Sequence, residues 1–126
     1  MFHEYLKKLN INLLKNCNEE IIISTSGSTG KKKSIVQPNE KIKIANKIAR
    51  EVQMITHNSK IYTVCSLGHA AGLLAQTLPA LEVKASVYIA SFSPFLWVKN
   101  IKNFTHSHIT PKMAKAIIKT KSWKDL

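Results

Sequence analysis

Thr25-Ser26-Gly27-Ser28-Thr29-Gly30-Lys31-Lys32-Lys33 lies between the apolar run Ile21-Ile22-Ile23 and the segment Ser34-Ile35-Val36-Gln37-Pro38. Hydroxyls alternate with glycines, and the run ends on three lysines. Glycine lets a backbone approach a ligand closely and take positive φ. Successive free N–H groups in such a turn form a concavity for anions. Hydroxyls add donors, and lysine brings a mobile positive charge to phosphate oxygens. The stretch therefore predicts a loop that wraps a polyphosphate. A Walker A loop is a poor match, because G-x-x-x-x-G-K-[ST] counted from Gly27 needs a glycine where Lys32 stands. It also needs a helix directly after the loop, whereas Ser34–Gln37 reads as a short strand. A Gly/Ser surface turn beside a lysine cluster is the plainer reading. The regular alternation of hydroxyl and glycine favours phosphate binding.

Working outward, apolar strands alternate with amphipathic helices. Phe2 through Lys15 predicts a short helix burying Phe2, Leu6, Leu9 and Leu13. Ile21–Ser24 is a strand. Asn39 caps a helix from Glu40 to about Thr56, with Ala45, Ile48, Ala49, Val52 and Ile55 inward and Lys43, Lys47, Arg50 and Glu51 outward. Ile61–Leu67 reads as a buried strand, followed by a helix through about Leu81 with Pro79 near its end. Ala85–Ala90 is a strand, and another lies near Phe104–Ser107. Ser93-Pro94 and Thr110-Pro111 are cap-then-proline helix starts. They open helices burying Phe95, Val98 and Ile101, then Met113, Ala114, Ile117 and Ile118. The alternation predicts an α/β fold with a mainly parallel sheet covered by helices on both faces. Ligands bind at the carboxyl ends of strands in such sheets, where the Thr25–Lys33 loop and the segment around His69 are expected.

Composition sets the class. A chain of 126 residues with 44% hydrophobic content makes one globular domain at most. No apolar stretch reaches the length of a membrane span, and the N-terminus lacks the apolar core of a signal peptide. A soluble cytoplasmic protein is the expectation. Cys17 and Cys65 are too few for a disulfide framework, and Cys65, inside an apolar run, reads as a buried hydrophobe rather than a nucleophile. The net charge of +12 suggests an anionic partner. Arg50 is the one arginine, and the lysines are scattered over the polar faces except at Lys31–Lys33. No aromatic–basic interleaving marks a single-strand platform.

The loop resembles the phosphate loop of the adenylate-forming enzymes (acyl-CoA synthetases, aryl and fatty-acid ligases, peptide-synthetase adenylation domains, luciferases), usually T-S-G-[ST]-T-G-x-P-K-G. Thr25, Ser26, Gly27, Ser28, Thr29 and Gly30 match, and Lys33 falls on the family's lysine. Lys32 replaces the usual proline and Ser34 the usual glycine. Ser66-Leu67-Gly68-His69-Ala70-Ala71-Gly72-Leu73 is similar to the family's P-L-F-H-x-x-G-L segment, with His69, Gly72 and Leu73 in register. Leu78-Pro79-Ala80-Leu81, Phe92-Ser93-Pro94 and Thr105 through Pro111 follow in the family's order. The resemblance runs from Ile21 onward. It implies the first part of an adenylate-forming domain over residues 1–126, a truncated N-terminal portion. The family's later adenine- and magnesium-contacting segment, its ribose-binding aspartate and its mobile C-terminal domain would lie beyond Leu126.

The resemblance also implies chemistry. A carboxylate attacks the α-phosphate of ATP, pyrophosphate departs, and a thiol of CoA or of a carrier protein intercepts the acyl-adenylate. Ser26, Ser28 and Thr29 with the Gly27 and Gly30 amides would hold the β- and γ-phosphates. Lys33 would neutralise the leaving pyrophosphate, and Mg2+ would arrive with the nucleotide. His69 and Gly72 would line the acyl-substrate pocket. A hydrogen-bonded histidine at a strand end is an equal reading for His69. A separate chain supplying the missing part is a further expected partner. The alternative function is a non-enzymatic basic module binding nucleotide or nucleic acid, the nucleic-acid arm being the less favoured. His106 and His108 share one strand face but lack a carboxylate or cysteine partner for a metal. His3 and His57 are unconnected to them, and the acidic residues form no pair suited to acid–base work.

Overall fold

A computed structural model describes residues 21–26, 32–66 and 74–126. The helix expected over Phe2–Lys15 lies outside them, as does the start of the helix expected to run through Leu81. The elements are β1 (Ile21–Ser26), β2 (Lys32–Gln37), α1 (Asn39–Gln53), β3 (Lys60–Thr63) and α2 (Thr77–Glu82). They continue with β4 (Ser86–Ile89), α3 (Pro94–Ile101), β5 (His106–His108), α4 (Pro111–Thr120) and a closing 3-10 turn, Ser122–Asp125.

Strands β4, β3 and β5 form a parallel sheet with β3 in the centre. Its two faces follow from the strand period of two. Ile61 and Thr63 look to one side, where Ile61 packs with Ile55, Ala80 and Ala85 and the Thr63 hydroxyl meets that of Thr77 at 2.7 Å. Helix α2 and the end of α1 cover this side. Tyr62 looks to the other, stacked on Phe104 with ring centroids 4.7 Å apart and tilted against Tyr88. There α3 closes the face: the Trp97 indole donates to the Ser107 hydroxyl at 3.0 Å, and the Asn100 amide reaches the Tyr62 hydroxyl. Helices thus lie on both faces of a parallel sheet, as the alternation predicted.

Strands β1 and β2 form a separate antiparallel pair running from Ile21↔Gln37 to Ser26↔Lys32. The strand–loop–strand expectation is met, but among the described residues the pair stands apart from the parallel sheet. Thr25 and Lys33 therefore lie in an antiparallel pair, not at the carboxyl end of a parallel strand. The strand expected over Ile61–Leu67 pairs only over Lys60–Thr63. Val64 and Cys65 stay buried but leave the ladder, the Cys65 thiol donating instead to the His108 carbonyl at 3.2 Å. Strand β5 is likewise displaced from Phe104–Ser107 to His106–His108, since Phe104 is drawn into the aromatic stack.

Helix α1 forms where its periodicity places it but turns a different face inward. Ile42 and Asn46 are buried, whereas Ile48 is 55% and Val52 77% exposed, and Ala45 is exposed as well; Ile55, just past the helix end, is buried as its position in the pattern predicts. Arg50, expected outward, is half-buried and pairs with Glu82 while donating to the Pro79 carbonyl. The helix is fixed against α2 by these polar bonds rather than by its aliphatic stripe. Its N-cap position is Pro38, not Asn39; the Pro38 carbonyl accepts from Lys41 and Ile42. Ser93 and Thr110 do cap α3 and α4, accepting from the amides of Leu96 and Met113. Val98 and Ile117 are buried beneath them, but Phe95 and Ile118 are 64% and 60% exposed. Helices of 8 and 10 residues over a three-stranded sheet offer a narrow covered stripe, and these two side chains fall outside it.

Candidate functional site

The antiparallel register brings the two ends of the hydroxyl–glycine loop together. Thr25 stands directly across from Lys33 and Ser26 across from Lys32. Of the residues expected to bind phosphate, Thr25, Ser26 and Lys33 fall on described backbone, where they bracket the loop. Gly27, Ser28, Thr29 and Gly30 lie outside the described residues, and so do His69 and Gly72 of the expected acyl pocket.

The elements leading away from the hairpin carry its position to the rest of the fold. Strand β2 runs through Pro38 into α1, and the last residue of α1, Gln53, is a junction. Its side-chain amide donates to the Ala75 carbonyl at 2.7 Å, and its side-chain carbonyl accepts from the Gln76 amide at 2.8 Å. Its backbone carbonyl accepts from Nε2 of His106 at 2.7 Å. Ala75 lies two residues past the segment 67–73 that holds His69 and Gly72, so α1 links the hairpin directly to the chain that follows that segment. No local signal marks Gln53: its side-chain partners are 22 and 23 residues away, and a glutamine at a helix end has no signature of its own.

His106 has both ring nitrogens engaged, Nε2 on Gln53 and Nδ1 2.7 Å from the Thr105 hydroxyl. The carbonyl of Gln53 can only accept, so Nε2 carries a proton and cannot ligate a metal as it stands. His108 shares that strand face and is exposed. Among the described residues no group of three His, Cys, Asp or Glu side chains could hold a metal ion. Cys65 is buried, and desolvation pushes its thiol pKa up. With its sulfur 4.0 Å from that of Met113, it behaves as the packed hydrophobe the sequence suggested, since a nucleophilic thiol needs a lowered pKa. Among the described residues, no helix is long and apolar enough to cross a membrane.

No protein-family model matches the sequence, and no curated protein matches it. Solved structures do. ATP-bound MatB from Rhodopseudomonas palustris is 15% identical, with a TM-score of 0.71 over 87% of this chain and 23% of its own. A malonyl-CoA ligase in a ternary product complex with methylmalonyl-CoA and AMP is 21% identical, with a TM-score of 0.68 over 83% of this chain and 24% of its own. An AMP-forming acyl-CoA synthetase/AMP-acid ligase II-like protein from Dyadobacter fermentans is 14% identical, with a TM-score of 0.69 over 97% of this chain and 34% of its own. This chain thus has the fold found in part of AMP-forming acyl-CoA ligases, and it spans about a quarter to a third of the length of those chains.

Proposed function

We propose that this chain is the ATP-phosphate-binding portion of an AMP-forming ligase that activates a carboxylic acid to an acyl-adenylate and passes it to a thiol. The observation that carries this reading is the hairpin. The T-S-G-S-T-G run with its lysine sits between two strands whose register sets Thr25 across from Lys33, within a fold shared with AMP-forming ligases. In this reading the hydroxyls of Ser26, Ser28 and Thr29 and the amides of Gly27 and Gly30 bind the β- and γ-phosphates. Lys33 supplies the charge that stabilises departing pyrophosphate, the preorganised electrostatics on which such transfers depend. The donor set is all N–H, O–H and ammonium, which fits a polyphosphate. Mg2+ then enters on the nucleotide's oxygens, as Mg2+ commonly does where substrate phosphates supply its ligands. His69 and Gly72 line the acyl pocket, which α1 ties to the hairpin through Gln53. Residues 1–126 form one α/β unit of such an enzyme, working in the cytoplasm. The adenine- and ribose-binding parts come from elsewhere in the assembly, on the same or a separate chain. The acceptor is CoA or a carrier-protein thiol.

Amide hydrogen exchange tests the phosphate assignment. With ATP or pyrophosphate at millimolar concentration, the amides of Ser26 through Lys33 should exchange at least several-fold more slowly, while those of α3 and α4 stay unchanged. Equal exchange with and without either ligand would remove the basis of the assignment.

A further inference from the structure

Among the described residues, the buried side-chain atoms without a hydrogen-bond partner all belong to the seam between α1 and α2. They are Nδ2 and Oδ1 of Asn46, Oε1 of Glu82 and Oε1 of Gln76. Asn46 is fully buried, at 0% exposure, and an amide held away from water without partners is destabilising. Its place on α1 says which way it faces. Asn46, Arg50 and Gln53 recur at helical spacing, and the latter two bond to Pro79, Glu82, Ala75 and Gln76. The two helices run antiparallel, with Gln53 at the start of α2 and Arg50 at Pro79 and Glu82. The next turn of α1, at Asn46, therefore comes level with the end of α2 at Glu82.

We propose that this seam is a binding site for a single buried water, which joins Asn46 to Glu82. Arg50 takes Oε2 of the carboxylate, so Oε1 is the acceptor left over. Side chains one helical turn apart have Cβ atoms about 5–6 Å apart. A water with a hydrogen bond of about 2.8 Å on either side spans the same gap. The donor and acceptor count selects the guest. Nδ2 of Asn46 needs an acceptor, while its Oδ1 and Oε1 of Glu82 each need a donor. Water gives two protons and accepts one, making the roughly three bonds common for a buried water. A metal cation or an ammonium ion cannot accept from Nδ2, and a carboxylate or phosphate dianion cannot donate to Oε1. Oε1 of Gln76 lies at the other end of α2, about 9 Å away along the axis, and is outside the group. The water pins α1, the helix that follows the β1–β2 pair, onto α2. It is independent of phosphate binding.

The test pairs urea unfolding with NMR on the full chain. Asn46→Leu should lower the urea midpoint of the parent by roughly half a molar or more, because it removes one anchor of the water and leaves Oε1 of Glu82 unpaired. In the Arg50→Met/Glu82→Leu background no carboxylate remains to satisfy, and the same change should leave the midpoint level or raise it. In a water-selective NOE experiment on the isotope-labelled parent, the Asn46 side-chain amide should show a cross-peak to water with the sign of a long-lived site. That cross-peak should be lost in the Arg50→Met/Glu82→Leu background. A midpoint raised by Asn46→Leu in both backgrounds means a dry, unpaired amide and overturns the proposal. An equal loss in both also overturns it, since Glu82 is then not the second anchor. If Asn46→Leu fails to fold, the cross-peak decides: its absence from the parent, or its survival without Glu82, overturns the proposal.

Discussion

Lys33 occupies a different place from its neighbours. In the antiparallel ladder Lys33 stands across from Thr25 and Lys32 across from Ser26. A directed charge-assisted hydrogen bond contributes roughly 1.5–3 kcal/mol, about tenfold to a hundredfold in affinity. Lys33→Ala should weaken ATP binding by that much, whereas Lys31→Ala and Lys32→Ala should cost several times less, as screened surface contacts do. Equal losses from all three in an ATP titration would reduce the run to a basic patch. Cys65 makes a second prediction. Burial raises its thiol pKa in the folded state, so as pH rises the unfolded chain loses the thiol proton first. The contribution is fully present below the unfolded thiol's pKa of about 8.5 and is lost as pH climbs from there through the folded value. The urea midpoint of the parent should therefore fall more steeply from pH 8 to 10 than that of Cys65→Ala. Parallel slopes would mean that the thiol is not desolvated.

The polar seam between α1 and α2 marks where the sequence was readable and where it was not. Strand and helix positions were legible because apolar period and proline–cap pairs are local signals, and both Ser93 and Thr110 cap as expected. The orientation of α1 was not legible. Its aliphatic stripe, Ile44, Ile48 and Val52, argues for one face, while Arg50 and Gln53 find partners 22 to 32 residues away that hold the other face inward. The hairpin's separation from the parallel sheet is likewise a non-local fact, since two short strands flanking a loop read alike in either setting. At the site, the hydroxyl–glycine–lysine run was visible as a motif and the Gln53 junction was not. The seam can be tested directly. Glu82 has its side chain 7% exposed, and one carboxylate oxygen depends on Arg50 while the other has no partner. Arg50→Ala leaves that carboxylate buried and unpaired, which costs about 3 kcal/mol or more in denaturant unfolding. Replacing both partners, Arg50→Met with Glu82→Leu, should recover most of the loss. If the double variant is as unstable as the single, the pair is not what sets the cost.

Across the whole molecule, nineteen basic residues against seven acidic ones create a field that attracts any polyanion. Attraction of that kind has to be separated from recognition at the hairpin. A chain that neutralises about four phosphates of a single strand loses affinity with a log–log slope near −3, so binding should fall roughly fiftyfold between 50 and 200 mM salt. Because the lysines are spread over α1, α3 and α4, no single alanine should change that slope by more than about one. The hairpin behaves differently if it is a built phosphate site. Protection of the Ser26–Lys33 amides by ATP rests on directed N–H and O–H donors as well as charge, so it should persist at 200 mM salt and respond to Lys33→Ala alone. The two signals can be followed in one titration, with oligonucleotide anisotropy reporting the field and amide exchange reporting the loop. Should both vanish together with the same salt slope, the hairpin would be one more part of the basic surface. The chain would then be a general polyanion binder built on a ligase fold.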